Sequence, residues 1–309
     1  MVQNHFDSQI FPVNTTMPST STATSRSSKA TSVSLKKITA LWQPPLAGGQ
    51  SRPCRMADFD PAAKPFSTGD KSRDKAAVKG LVGELDALQG LFYADKRYKL
   101  VVILQGTDTA GKDGTLRDVF NRMSPLGVQT VGWKAPSDEE RAHDYLWRIH
   151  QKMPAAGDIM IFNRSHYEDV LVPVVNSSLT AEQSSQRFAQ INDFERMLSE
   201  TGTVLLKFML HISLEEQRER LQERIDDVTK NWKFSRDDLD ARKHWKAYQK
   251  AYAALLNATS TPWAPWTVVP ANSKTHRNLM VATLLRDALQ KLGLRYPPPD
   301  PSLRGLKIS

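Results

Sequence analysis

The sequence predicts an α/β protein: a parallel sheet flanked by helices on both faces. Tyr98-Lys99-Leu100-Val101-Val102-Ile103-Leu104-Gln105 is a near-continuous apolar run, the pattern of a strand buried on both sides. Further strand-sized segments then alternate with helical patterns, which is the order that βαβ units produce. A glycine-bounded turn follows the first strand directly, where such a unit needs its strand-to-helix connection.

Up to about Ser34 the chain is Ser/Thr-rich, with too few large apolar residues to offset the entropy of ordering. A disordered leader over residues 1–50 is expected. It shares a shortage of acids with transit peptides but lacks their Arg-rich amphipathic helix. Residues 51–309 are expected to form one domain. Its strands are Tyr98 to Gln105, Val128 to Trp133, Asp158 to Phe162, Val204 to Ile212 and Trp266 to Val269. Helical patterns fill the gaps at Lys112 to Met123, Asp138 to Lys152, Ala181 to Thr201, Leu214 to Asp227, Asp237 to Asn257 and His276 to Leu292.

Composition narrows the function classes. With 309 residues, 40% hydrophobic and 24% charged, the chain is of ordinary globular make-up. No apolar run approaches the ~20 residues of a membrane-spanning helix, so no membrane partner is expected. One cysteine, Cys54, rules out an internal disulfide and fits a reducing, cytoplasmic setting. The net charge of +9 suits an anionic partner, yet residues 1–55 carry six basic residues against Asp7 alone. Charge alone therefore does not choose between nucleic acid, nucleotide and phosphate polymer.

Gly106-Thr107-Asp108-Thr109-Ala110-Gly111-Lys112-Asp113-Gly114-Thr115 has the spacing of a phosphate-binding loop through its lysine, between a buried strand and an opening helix. Gly106 and Gly111 let the backbone fold close to phosphate oxygens, with Thr109, Ala110, Asp113 and Gly114 as further binding positions. Lys112 reaches the outer oxygens as a compact charge. Asp113 stands where such loops use Ser or Thr to hold magnesium. The metal then needs other oxygens, and Asp108 is the candidate, its alternative being a turn residue bonded to its own backbone. Asp113 is expected to stabilise the helix start.

The strand ending at Phe162 runs into Asn163-Arg164-Ser165-His166-Tyr167-Glu168-Asp169, at the edge where open α/β sheets bind ligands. Neutral Asn163 occupies the position where phosphate-loop proteins commonly carry a metal-organising Asp. The acids are displaced to Glu168 and Asp169. Arg164 offers a planar fork for two phosphate oxygens, or alternatively pairs with a nearby acid. His166 reads as a packed histidine.

Residues 106–114, Phe162 to Leu171, Glu216 to Leu221 with Trp232-Lys233-Phe234, and Thr261 to Trp266 together resemble the polyphosphate kinase 2 family. The resemblance spans nearly everything after about residue 50. It implies a phosphate-loop kinase fold akin to thymidylate kinase, with a helical lid. It also implies phosphoryl transfer between inorganic polyphosphate and a nucleotide such as AMP or ADP, with magnesium or manganese. Carried over by position, Asp108, Lys112, Arg164 and the lid residue Arg224 correspond to the family's active-site residues. Asn163 and Glu168 stand where other members have Asp and Asn, and look like the branch that phosphorylates both nucleoside mono- and diphosphates. Family members often assemble, so a dimer or tetramer is implied, while nucleic acid is disfavoured as a partner.

Residues 214–250 carry charges of both signs and read either as a solvated helix face or as the lid. Within them, Val228 to Arg236 holds Lys230, Lys233 and Arg236 without an acid, beside Trp232 and Phe234; such a segment could close over phosphates. Arg218 and Arg224 are six apart and do not share a helix face neatly, so Arg224 is favoured over Arg218 as the phosphate-facing residue. Trp263 and Trp266 could stack a base, though core packing is the better reading. Asn272, Lys274 and Arg277 fall on the ligand edge with no assigned role. The expected chemistry places magnesium at Asp108, with help from Asp169 or Glu168. An ATP-dependent nucleoside monophosphate kinase and a non-catalytic polyphosphate- or nucleic-acid-binding protein are the alternatives.

Overall fold

The computed structural model describes residues 35–49 and 52–308. The Ser/Thr-rich stretch expected to be disordered, up to residue 34, lies outside them. The described residues fall into two units that part between Ala40 and Leu41. In the first, residues 35–40 are helical, and Thr39 Oγ1 donates to the Leu35 carbonyl at 2.8 Å. The second begins well before the expected boundary at residue 51. Trp42 explains why: its ring packs against the core and its carbonyl accepts from the Val268 N–H at 2.8 Å. The Ala47 N–H, donating to the Ser260 carbonyl at 2.8 Å, ties the same segment down.

Five strands, β1 Lys99–Gln105, β2 Val128–Gly132, β3 Ile159–Asn163, β4 Thr203–His211 and β5 Trp266–Pro270, form one sheet in the order β2-β3-β1-β4-β5. All four pairings are parallel, with Leu100 opposite Ile159 on one side of β1 and Lys99 opposite Thr203 on the other. Val101 and Ile103 face one hydrophobic cluster, while Leu100, Val102 and Leu104 face a second. The unbroken apolar run of β1 is thus the signature of two buried faces.

The helices are α1 Lys71–Asp95, α2 Lys112–Val119, α3 Asp138–Ala142, α4 Trp147–His150, α5 Glu168–Val175, α6 Ala181–Glu200, α7 Leu214–Asp226, α8 Arg236–Lys243, α9 Trp245–Thr259 and α10 Lys274–Lys291. Side chains of α1, α2 and α10 build one core layer, and those of α5, α6 and α9 the other. The sequence reading did not anticipate α1. Asp70 caps it by accepting from the Ser72 and Arg73 N–H groups, both at 2.8 Å, and Leu81, Val82, Leu85 and Phe92 are buried at helical spacing. The helix expected from Asp138 to Lys152 is broken where His143 turns extended, and Asp144 restarts it by accepting from the Leu146 and Trp147 N–H groups. The pattern from Asp237 to Asn257 likewise breaks at His244, between α8 and α9.

Beneath the sheet's carboxyl edge the core contains an ion pair. Lys207 Nζ lies 2.6 Å from Glu195 and also donates to the Tyr167 hydroxyl at 2.9 Å and the Thr259 carbonyl at 2.8 Å. Tyr167 in turn donates to Glu195 at 2.8 Å, and the Lys207 ammonium sits 5.0 Å from the Trp266 ring. Trp266 is therefore a core residue and not a base-stacking platform, and Trp263 packs against the same cluster. Lys207→Met strands the Glu195 charge in the core and is expected to cost about 3–5 kcal/mol. A fall in the urea midpoint checks this, and Lys207→Met/Glu195→Gln should recover a substantial part of the loss.

Candidate active site

The loop between β1 and α2 curls at the carboxyl edge of the central strand. Gly106, at φ 147°, passes so close to β4 that a methyl group there would lie 2.5 Å from the Leu210 carbonyl oxygen. Gly111 caps α2 at φ 104° and brings no capping side chain, leaving the first-turn N–H groups open toward the loop. Thr109 and Arg164 both adopt positive φ, 65° and 67°, a conformation that costs a non-glycine residue energy and gathers at functional sites.

A cleft of about 490 Å3 opens over this loop, lined by ten basic side chains against five acidic ones. That excess of cations fits a polyanion. The cleft brings together Asp108, Thr109, Gly111, Lys112, Asp113 and Gly114 from the loop, Arg164 from the end of β3, and Arg224, Lys230 and Lys233 from the segment around α7. Gly106 lies just behind, and the Ala110 methyl is fully buried, so both act through the backbone.

Lys112, Arg164, Arg224 and Lys230 are each held by neighbouring oxygens. Lys112 Nζ curls onto its own loop, donating to the Gly106 carbonyl at 2.7 Å and to that of Thr107 at 3.1 Å. Burial first, and the Arg164 charge second, pull its pKa down to about 8. Arg164 forks between Asp108 at 2.5 Å and Glu168 at 3.1 Å. Burial opposes its charge, but Glu168 and Asp108 outweigh it and its pKa ends above the usual arginine value. Arg224 donates to the Lys233 carbonyl at 3.0 Å and to Asp238 at 3.2 Å. Glu223 collects Lys230 at 2.8 Å and Lys274 at 3.1 Å.

Three expected residues stand elsewhere. Asp169 is turned out of the cleft and pairs with Arg148 at 3.1 Å. Successive residues of a helix point about 100° apart, so with Glu168 facing Arg164 its neighbour faces away. Asp169 still matters at one remove, because Arg148 donates to the Lys134 carbonyl at the cleft rim at 3.0 Å. Arg218 is exposed and pairs with Glu215 at 2.8 Å. Glu168 lines a smaller hollow behind Arg164, beside Trp245, Tyr248 and Tyr252, and accepts from Gln105 at 2.5 Å.

Arg220, which a solvated helix face would leave in water, is instead buried. It donates to the Thr109 carbonyl at 2.8 Å, to those of Ala271 and Asn272 at 2.6 and 3.0 Å, and pairs with Glu216 at 2.7 Å. It rivets the loop to α7 and to the segment after β5. Arg224, four residues on, shares this face, whereas Arg218, two residues back, lies on the opposite one. Between Gln222 and Lys250 only Asp238 is buried, so this segment is thinly packed.

For a metal, Asp108 and Asp113 present carboxylates to the cleft, and Asn163 orients Asp113 by donating to it at 2.7 Å. Among the described residues no three potential ligands of the His, Cys, Asp or Glu type cluster. One or two carboxylates completed by water and phosphate is the donor set that suits magnesium. Among the described residues no helix is long and apolar enough to cross a membrane.

The sequence signature of polyphosphate kinase 2 matches residues 68–295. An AMP/ADP-polyphosphate phosphotransferase of Meiothermus ruber is 46% identical over 242 residues, 78% of this chain and 91% of the relative. An ADP-polyphosphate phosphotransferase of Rhodopseudomonas palustris is 38% identical over 235 residues, 72% of this chain and 81% of that one. The crystal structure of polyphosphate kinase 2 from Arthrobacter aurescens superposes with a TM-score of 0.80 at 43% identity, covering 85% of this chain and 92% of that structure.

The depressed Lys112 pKa predicts a pH signature. Between pH 8 and 10.5 the unfolded chain keeps a proton that the folded, ligand-free protein has released, so stability contributed by this position rises with pH across that window. The stability of the native sequence relative to Lys112→Met, followed by urea denaturation, is expected to climb by up to about 3 kcal/mol between those limits. A flat difference would show that Lys112 stays fully charged.

Proposed function

The chain belongs to the polyphosphate kinase 2 family, and from that premise we propose that it transfers phosphoryl groups reversibly between inorganic polyphosphate and AMP, ADP or other nucleoside mono- and diphosphates. The observation that carries the reading is the convergence of Lys112, Arg164 and Arg224 on one cation-rich cleft over the phosphate loop.

Phosphoryl transfer between phosphate groups asks for positioning and charge neutralisation rather than a base, because the attacking oxygen is already anionic. The bond from the terminal phosphorus of polyphosphate to its bridging oxygen breaks, the bond to the nucleotide oxygen forms, and the shortened chain leaves as an anion with no proton moved. Loop N–H groups and Lys112 bind the outer oxygens. Arg164, aimed by Asp108 and Glu168, meets the charge that spreads over the moving phosphoryl group. Arg224, Lys230 and Lys233 close from the opposite wall and exclude water, which would otherwise compete as acceptor. Magnesium, or manganese in its place, would be held by Asp108 with Asp113 nearby and would offset phosphate charge there. A cytoplasmic location and assembly into dimers or tetramers belong to the same reading.

Purified protein given AMP or ADP, magnesium and polyphosphate without ATP is expected to form ADP or ATP, detected by chromatography. Product formation only when ATP is supplied would mark an ATP-dependent nucleotide kinase instead. Lys112→Ala should lower turnover by about two orders of magnitude or more while leaving the circular dichroism spectrum unchanged; absence of turnover in the native protein would leave only a binding role.

A further inference from the structure

Arg277, on the second turn of α10, lies directly under the phosphate loop. A methyl group on Gly111 would sit 1.8 Å from its Nη1, and one on Gly114 would sit 3.0 Å from its Nη2, so nothing but glycine backbone separates this guanidinium from the cradle. The side chain lines the cleft yet is only 2% exposed. Its Nε and Nη2 donate to the neutral amide oxygen of Asn278 at 3.0 and 2.8 Å. Asn278 in turn is fixed by Asp118 at 2.9 Å. Among the described residues Nη1 has no partner, and no carboxylate pairs with the charge.

The neighbouring Arg220 shows the contrast. It is equally buried, but an acid and three carbonyls occupy its donors. Burial first, and the charge of Arg220 second, bring the Arg277 pKa down to about 10, which leaves it charged at neutral pH. A buried cation without a counter-ion is costly to keep. An anion in the cradle relieves that cost.

We propose that Arg277 is a phosphate-binding residue of this cleft, its counter-ion being a phosphate group of the substrate held from beneath the loop. The inference rests on the phosphoryl-transfer reading. It also accounts for Gly111 and Gly114 together, since a side chain at either would come between the guanidinium and the anion.

Inorganic tripolyphosphate, titrated calorimetrically, separates the possibilities. Arg277→Met is expected to keep or raise the ligand-free melting temperature, because it removes an uncompensated charge, while raising the tripolyphosphate Kd about tenfold or more. Arg277→Lys, which keeps a charge but loses the fork, should fall between. A lower ligand-free melting temperature with an unchanged Kd assigns Arg277 to the scaffold and overturns the proposal. If Arg277→Met does not fold, Arg277→Lys decides: binding within about twofold of the native protein overturns the proposal, and a loss of about threefold or more upholds it. Native protein that fails to bind tripolyphosphate at all sinks the phosphoryl-transfer reading instead.

Discussion

Like charges crowded at the carboxyl edge of a parallel sheet are the constraint under which this chain folds. Lys112, Arg164, Arg220, Arg224 and Arg277 converge on one glycine-bounded loop. Mutual repulsion at such distances, in surroundings drier than bulk water, works against the fold. The architecture answers it in layers: acids beside the cleft, carbonyls beneath it, and an open place for an anionic ligand.

Two of the acids, Glu168 and Glu216, approach their cations from outside the cleft. Glu168 approaches Arg164 from the rear hollow, Glu216 approaches Arg220 along its own helix, and Asp238 holds Arg224 on the covering segment. Each pair fixes a guanidinium in one orientation, which is how a preorganised electrostatic site differs from a set of surface ion pairs. Asp238 also lines the cleft, and so does Asp108, which is bonded to Arg164 and aims it.

The parts of this arrangement written in local spacing were legible in the sequence. The strand, the glycines and Lys112 follow one another within a few residues, and all five strands fall within a residue or so of their expected ends. What depended on helix rotation or on distant packing was not. Asp169 and Arg218 sit next to site residues in the chain but are carried away from them by the turn of α5 and α7. Arg220 is four residues from Glu216, a spacing that usually signals a solvated pair, and only the approach of the Thr109 and Ala271 carbonyls reveals its burial. Three glycines, Gly80, Gly83 and Gly90, blur the helical pattern of α1, although its buried face keeps the regular period. Aromatic residues split the other way: Trp266 was better read as core, and the Lys207 ammonium beneath it gives the reason.

The position of β1 at the middle of the sheet has a consequence for how the molecule comes into being. Its two neighbours, β3 and β4, lie about 60 and about 100 residues further along the chain, so neither flank can pair until much of the polypeptide has left the ribosome. Until then Leu100 to Leu104 must wait as an unpartnered apolar ribbon. Non-local parallel pairing of this kind is slow and leaves nascent chains open to self-association. The stability of the finished fold does nothing to shield that ribbon before its partners arrive.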